Sequence, residues 1–415
     1  MSLTGADVRE IFEAVLPEAA LREAMMAAQF QQRERKLDAL ALLRTTILTA
    51  ASGSGGRQAD VMKAYFRSGA PKVVRGGFYG WFGPAFERTM DAVCRRALAF
   101  AAAEPLDLPG ALGAYVRDWH IVDSMTVQLE KELQEEYPGA GDYAALKVHK
   151  RYSVGVGTTI AFHLSPAREH DAPHLTIDES WRGLGLLCDL GYASHDLLRA
   201  CAEFDVRYVI RLKENWKARV THIARGQEAA TFVAGTDFDQ LRAEGVIRLD
   251  GRVIDLDVDL GSGRKTFRAR LVGVHTDKGY CFYLTNLPPK AAPRTVADLY
   301  RIRWEIELDN KLDKSCHRLD EIGARTGPAV RALVYASIVA SILACLVVHR
   351  HRLREAPPPR KGTERTKPPI HAQGVARMMA VSAPCIARML PSTRNRRNLN
   401  SPADGSRSGL CDGAR

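Results

Sequence analysis

The stretch from Thr295 to Ile322, TVADLYRIRWEIELDNKLDKSCHRLDEI, decides how this chain is read. At about 100° of rotation per residue, Tyr300, Arg303, Glu307 and Lys314 fall within roughly a 60° arc of one helical face. That face carries an aromatic hydroxyl, a guanidinium, a carboxylate and an ammonium. Leu299, Ile302 and Ile306 form a separate apolar stripe, suited to docking on a core while the polar face borders a cleft. Thr295 followed three residues later by Asp298 resembles a capping box, so the helix is expected to begin there. Taken alone, the charged face also fits a solvated amphipathic helix with i,i+4 pairs. What lies upstream separates the two readings.

From about Tyr115 the apolar period becomes strand-like. WHIVDSMTVQL, AALKVHKRYSVGV and TTIAFHLSPARE read as three successive strands. The apolar run GLLCDLGYAS follows, then a helix DLLRACAEF and a strand VRYVIRLKEN. This is an α/β pattern with a mixed sheet, and it fits a ribonuclease-H-like core. TFVAG, VIRLDG, RVIDLDVDL, RKTFRARLVGVHT and YCFYLTNLP then make a β-rich block, read as an insertion between two parts of that core. Residues 1 to about 108 read as helices. Those around Ser68 to Gly77, near Arg57, Lys63, Arg67, Lys72 and Arg75, form either a helix-turn-helix or part of an ordinary helical domain. The expected division is 1–110 helical, 111–215 core, 216–291 β insertion, 292–350 second core part and 351–415 basic, disordered tail. Asp123 follows the strand-like Ile-Val, and Asp189 follows Leu-Leu-Cys. Each sits where a buried strand is expected to emerge, which is where α/β sheets place their sites.

The spacing Y-x-x-R-x-x-x-E-x-x-x-x-x-x-K, met by Tyr300, Arg303, Glu307 and Lys314, resembles the signature of the IS-four family of DDE transposases. LCDLGYAS, YVIRLKEN and LTNLP add to the likeness, which runs from about Trp119 to Lys314. The resemblance implies a catalytic triad of Asp123, Asp189 and Glu307 holding two Mg²⁺ ions, with Mn²⁺ as a substitute. Asp123 would bridge the ions, and Asp189 and Glu307 would each complete one site. It implies that Tyr300, Arg303 and Lys314 contact DNA near the cleaved end, with Trp304 or Trp216 stacking on a flipped base. It further implies double-stranded DNA partners, namely the element's terminal inverted repeats and target DNA. A homodimer in a synaptic complex and a cut-and-paste reaction, through hairpin ends, complete the expectation. A domesticated or inactive DNA-binding protein is the alternative, and the intact triad argues against it.

Composition agrees with a polyanionic partner. The formal net charge is +11, and fourteen Lys/Arg against four Asp/Glu from Arg350 onward put most of the excess in the tail. The eight cysteines are scattered without a C-x-x-C pair, which argues against a zinc site and fits reduced thiols. The start MSLTGADVREIFEAVL has no export-signal pattern, so a cytoplasmic protein is expected. Ala332 to Val348 is uncharged and near the lower length limit for a membrane span. Alanines at 332, 336, 340 and 344, beside Ser337 and Ser341, instead suit close packing as a buried core helix. GSGRKT at Gly261–Thr266 imitates a P-loop but reads as a hairpin turn. His149 and His163 read as structural. Asp309 and Glu305 fall off the Tyr300–Lys314 arc.

Overall fold

The computed structural model of the chain describes residues 5–30, 37–53, 56–108, 110–226, 232–355 and 375–376. Nearly all of the expected basic tail therefore lies outside the described residues. The chain opens with α1 (Gly5–Val15), α2 (Glu18–Ala27), α3 (Ala39–Ala51), α4 (Gln58–Arg67), α5 (Arg75–Gly80), α6 (Pro84–Ala102) and the single turn α7 (Gly110–Gly113). Helical spacing explains the packing of α1, whose Val8, Ile11, Phe12 and Val15 are all buried. Every residue of α3 is buried, and the Asp38 side chain caps it by accepting from the Ala41 amide at 2.9 Å. The last long helix, α12 (Gly327–Glu355), packs against α1, α3 and α6. Its most apolar window is 94% buried inside the protein. Ala332, Ala336, Ala340, Ala344, Ser337 and Ser341 are all inaccessible, as a core helix requires.

Strands β1 (Trp119–Gln128), β2 (Ala145–Ser153) and β3 (Thr158–Pro166) form an antiparallel meander. β4 (Gly185–Cys188), α8 (His195–Glu203) and β5 (Arg207–Arg211) follow, with β4 parallel to both β1 and β5. The order β3-β2-β1-β4-β5 is that of a ribonuclease-H-like fold. The sheet does not stop there. β6 (Arg219–Arg225), β7 (Thr236–Asp237), α9 (Phe238–Ala243), β8 (Ile254–Leu260), β9 (Phe267–Thr276) and β10 (Gly279–Thr285) come next, and β10 hydrogen-bonds to β5. The β-rich stretch thus extends one ten-stranded sheet, in the order β3-β2-β1-β4-β5-β10-β9-β8-β6-β7. One apolar layer joins Leu186, Leu198 and Tyr208 to Leu256, Val258 and Leu271.

Several local expectations are corrected. VIRLDG is not a strand: the Val246 and Ile247 amides are spent on the Leu241 carbonyl at 3.0 and 3.1 Å, closing α9. The hairpin reading of GSGRKT holds, because β8 and β9 pair antiparallel with Leu260 opposite Phe267. The stretch expected as one helix from Thr295 is two, α10 (Pro293–Arg301) and α11 (Trp304–His317). α10 starts earlier because Pro293 at the first helical position has no amide to satisfy and is preset in φ, leaving Ala292 as the cap. The junction is tightened by i→i−3 bonds from Ile302 to Leu299, Arg303 to Tyr300 and Glu305 to Ile302.

α11 is fixed to the sheet by a buried ion triad. Lys150 on β2 reaches Asp309 Oδ2 at 2.7 Å and also pairs with Asp313, one helical turn on. Thr159 on β3 donates to the same Asp309 oxygen at 3.0 Å. All three charged side chains are at most 3% exposed. Burial pushes the Asp309 carboxyl up while Lys150 pulls it down; burial also disfavours the charge on Lys150, but the two aspartates outweigh it and hold the lysine cationic. At the far end of α11, Ser337 on α12 donates to the His317 carbonyl at 3.1 Å, satisfying a terminal acceptor. Replacing Lys150 by Met strands two buried carboxylates and is expected to lower the unfolding free energy by about 3–5 kcal/mol. The urea midpoint reads this directly, and a near-neutral variant would mean that the triad does not anchor α11.

Candidate active site

Alternation along β1 sends Ile121, Asp123 and Met125 to one face of the sheet and Val122 and Ser124 to the other. Asp123 is directly paired with Lys150, so both side chains rise on the face that α11 crosses. Sequence reading places Asp123 at a strand end, but β1 continues to Gln128. The neighbour ends instead: β4 stops at Cys188, opposite Val122, so that from Asp123 onward β1 has no partner on that side. Asp189, the next residue of the chain, is exposed in the turn that follows. Its carbonyl accepts the Tyr192 amide at 3.1 Å. Glu307 comes from the first turn of α11.

These three carboxylates share one neighbourhood. Burial pushes the Asp123 carboxyl up to about 6, the charges of Asp189 and Glu307 push in the same direction, and the Ser124 amide and Arg303 oppose it. Asp123 Oδ1 accepts the Ser124 amide at 2.9 Å and Oδ2 accepts Asn310 Nδ2 at 3.2 Å. Arg303 is the cation among them. Its Nη2 bonds Glu307 Oε1 at 2.6 Å, and Asp189 is a further source of its raised proton affinity, which desolvation opposes.

Tyr300 lies beside this pair but is only 8% exposed. Its ring packs on Tyr283 at 5.2 Å, with the Arg303 guanidinium 5.7 Å from its centroid. Burial, foremost, pushes its hydroxyl up to about 12. Tyr300 therefore underlies Arg303 instead of facing solvent. Lys314 is half-exposed two turns beyond Glu307. Trp304 is 54% exposed next to Arg303, whereas Trp216 packs on His195 at 4.3 Å.

The residues that sequence reading misses are Asn310 and the buried triad. A lysine inside the apolar strand ALKVHKRYS and aspartates four apart on the docking helix were the available signal. A second cluster lies on the opposite sheet face, where His149, His163 and His174 bring ring nitrogens within 4.8 Å of one another. The His149 and His163 rings stack at 4.5 Å and 8°, so their lone pairs run side by side instead of converging on one point. Both His149 nitrogens already lie 2.9 Å from a hydroxyl, those of Tyr192 and Ser165. Burial and the neighbouring imidazoles push His149 down to about 3. These features fit a structural role.

Folded Asp123 holds its proton more tightly than an ordinary carboxyl titrating near 3.8. It therefore favours folding below pH 4, and that contribution is lost as pH rises through 6. In metal-free buffer, the stability of Asp123→Asn relative to the parent should increase by about 1–3 kcal/mol between pH 4 and pH 8. Denaturant titrations at the two pH values check this, and a difference that does not change with pH would contradict it.

Comparison with known proteins follows the same outline. The family model described as "Transposase DDE domain" matches residues 117–343, more than half of the chain. The transposase for insertion sequence element IS231E of Bacillus thuringiensis subsp. finitimus is 21% identical over 297 residues, covering 59% of each protein. That for IS1151 of Clostridium perfringens is 20% identical over 270 residues, covering 55% of this chain and 56% of the relative. The transposase for IS421 of Escherichia coli is 38% identical over 66 residues, covering 16% of this chain and 18% of its own. The chain thus spans less than two thirds of the length of these relatives. Among solved structures, the piggyBac transposase synaptic complex with hairpin DNA matches with a TM-score of 0.50 and 12% identity, over 97% of this chain and 87% of that one. This likeness is one of fold. The family match runs from the first strand of the sheet through both site helices and into α12, so the chain belongs to the DDE transposase family.

Proposed function

We propose that the chain is a DNA transposase that cuts the ends of an insertion sequence and joins them to target DNA, with Asp123, Asp189 and Glu307 as its reacting set. One observation carries this reading: the carboxylates from the turn after β4 and the first turn of α11 lie near enough to mid-β1 that both their charges are felt at Asp123. A purely structural cluster of three acids would be a poor use of folding energy, because each raises the cost of ionising the next.

The donor set suits Mg²⁺, with Mn²⁺ in its place. It consists of hard oxygens with excess negative charge, and beside it the Asn310 Oδ1 acceptor is buried without a hydrogen-bond partner. Asp123, Asp189 and Glu307 would hold the metal, Asp123 between the other two. When bound, a metal pair supplies activation of the attacking oxygen and stabilisation of the leaving one.

The remaining work belongs to the chain's own side chains. Arg303, paired with Glu307 in this structure, can exchange that carboxylate for a DNA phosphate, since its planar fork fits either anion. Tyr300 holds the guanidinium from below, and Lys314 offers a mobile point charge farther along α11. Trp304, exposed beside Arg303, is the better placed aromatic for stacking on an unpaired base at a hairpin-forming end. Residues 1–110 form the unit we assign to end recognition, with Arg57, Lys63, Arg67, Lys72 and Arg75 all exposed around α4 and α5. Residues 111–215 and 292–350 form the core, 216–291 its β extension and 351–415 a basic tail. Two element ends require two such sites, so the working form is a homodimer on double-stranded DNA, acting in the cytoplasm.

The test uses purified protein and a supercoiled plasmid carrying the gene with its native flanks. Cleavage at the element's ends is expected in Mg²⁺. Asp123→Asn and Glu307→Gln should each lower it by more than about 10³-fold while leaving end binding in Ca²⁺ intact. Binding to the flanks with no cleavage by the parent protein would favour an inactive, DNA-binding role.

A further inference from the structure

Asn310 sits one turn beyond Glu307 on the same side of α11. Its amide bridges helix and sheet, with Nδ2 donating to Asp123 Oδ2 at 3.2 Å. The other end of the same amide has no such role: Oδ1 is buried and accepts no hydrogen bond. A buried acceptor left empty is costly and uncommon, and most have a donor or an ion to receive. Here the neighbours are Asp123, to which Asn310 is bonded, and Glu307, whose charge also reaches Asp123. Both are acceptors when ionised and add to the need for a positive or proton-bearing partner. Arg303, the cation nearby, is engaged with Glu307.

We propose that Asn310 belongs to the divalent-cation site itself, orienting Asp123 through Nδ2 and offering Oδ1 as a neutral oxygen to the cation held by Asp123 and Glu307. This rests on the carboxylate reading above and adds to it a fourth side chain outside the Tyr-Arg-Glu-Lys spacing. An amide oxygen suits the position because it is a hard donor that brings no further negative charge to a crowded set of acids. Donation from Nδ2 leaves Asp123 with spare lone pairs, since a carboxylate has about four acceptor positions.

The test is Mn²⁺ binding by the whole chain without DNA, followed by electron paramagnetic resonance of free Mn²⁺, so that no turnover is needed. Asn310→Leu removes both polar ends at similar volume. Asn310→Asp removes the donor and keeps an oxygen. An oxygen ligand predicts that N310L binds Mn²⁺ about tenfold more weakly. N310D should bind at least as tightly as the parent. If N310L binds like the parent while D123N does not, the inference is overturned and the carboxylate site stands. If N310D is as weak as N310L, only the hydrogen bond to Asp123 matters and the ligand role is overturned. Undiminished binding by both D123N and E307Q would defeat the carboxylate reading and this inference with it. Urea midpoints for each variant separate lost binding from lost folding.

Discussion

The structure depends on a lysine buried beneath the site. Lys150 has no solvent to neutralise it, so Asp309 and Asp313 must remain within its reach. Those two residues define one face and one register of α11. A slip of one helical turn would leave the lysine one aspartate where it now has two, and strand the other carboxylate without its cation. With the register fixed, Glu307 and Asn310 are presented to β1, where Asp123 is paired with Lys150 itself. The same strand position thus sets both the anchor of the helix and the carboxylate that the helix faces.

Around that anchor the sheet makes room for chemistry by ending one strand early. β4 closes opposite Val122, which bares Asp123 in the middle of a longer strand and puts Asp189 beside it. Three acids brought together in this way need positive charge, and in this structure Arg303 supplies part of it through Glu307. A guanidinium seated on a buried tyrosine ring is held in place without surrendering its freedom to exchange one oxyanion for another. Burial foremost, and after it the repulsion left over, raises the proton affinity of Asp123.

Much of this was legible in the chain. The first strands, the helix after β4 and the apolar core helix follow from period and composition, while the family spacing singles out Glu307 and the strand ends single out Asp123 and Asp189 as candidates. What was not legible depends on neighbours. Nothing local in IVDSMT says that β4 stops one residue short of Asp123. Nothing in YRIRWE announces the tight junction that splits the helix, since both junction residues keep near-helical backbone angles. Asp309 reads only as lying off the functional arc, yet it is buried against Lys150, which approaches from β2. Asn310 has no signal in a single sequence, because its role depends on a hydrogen bond spanning 187 positions.

The proposed function requires one cation-binding centre assembled from Asp123, Asp189 and Glu307. Its most direct test is to load the protein with Fe²⁺ in place of Mg²⁺, generate hydroxyl radicals at the bound ion with ascorbate and peroxide, and map the backbone cuts by mass spectrometry. Cuts are expected close to residues 123, 189 and 307 together, all suppressed by excess Mg²⁺. Cuts confined to the stretch containing His149, His163 and His174, or none that Mg²⁺ suppresses, would contradict it.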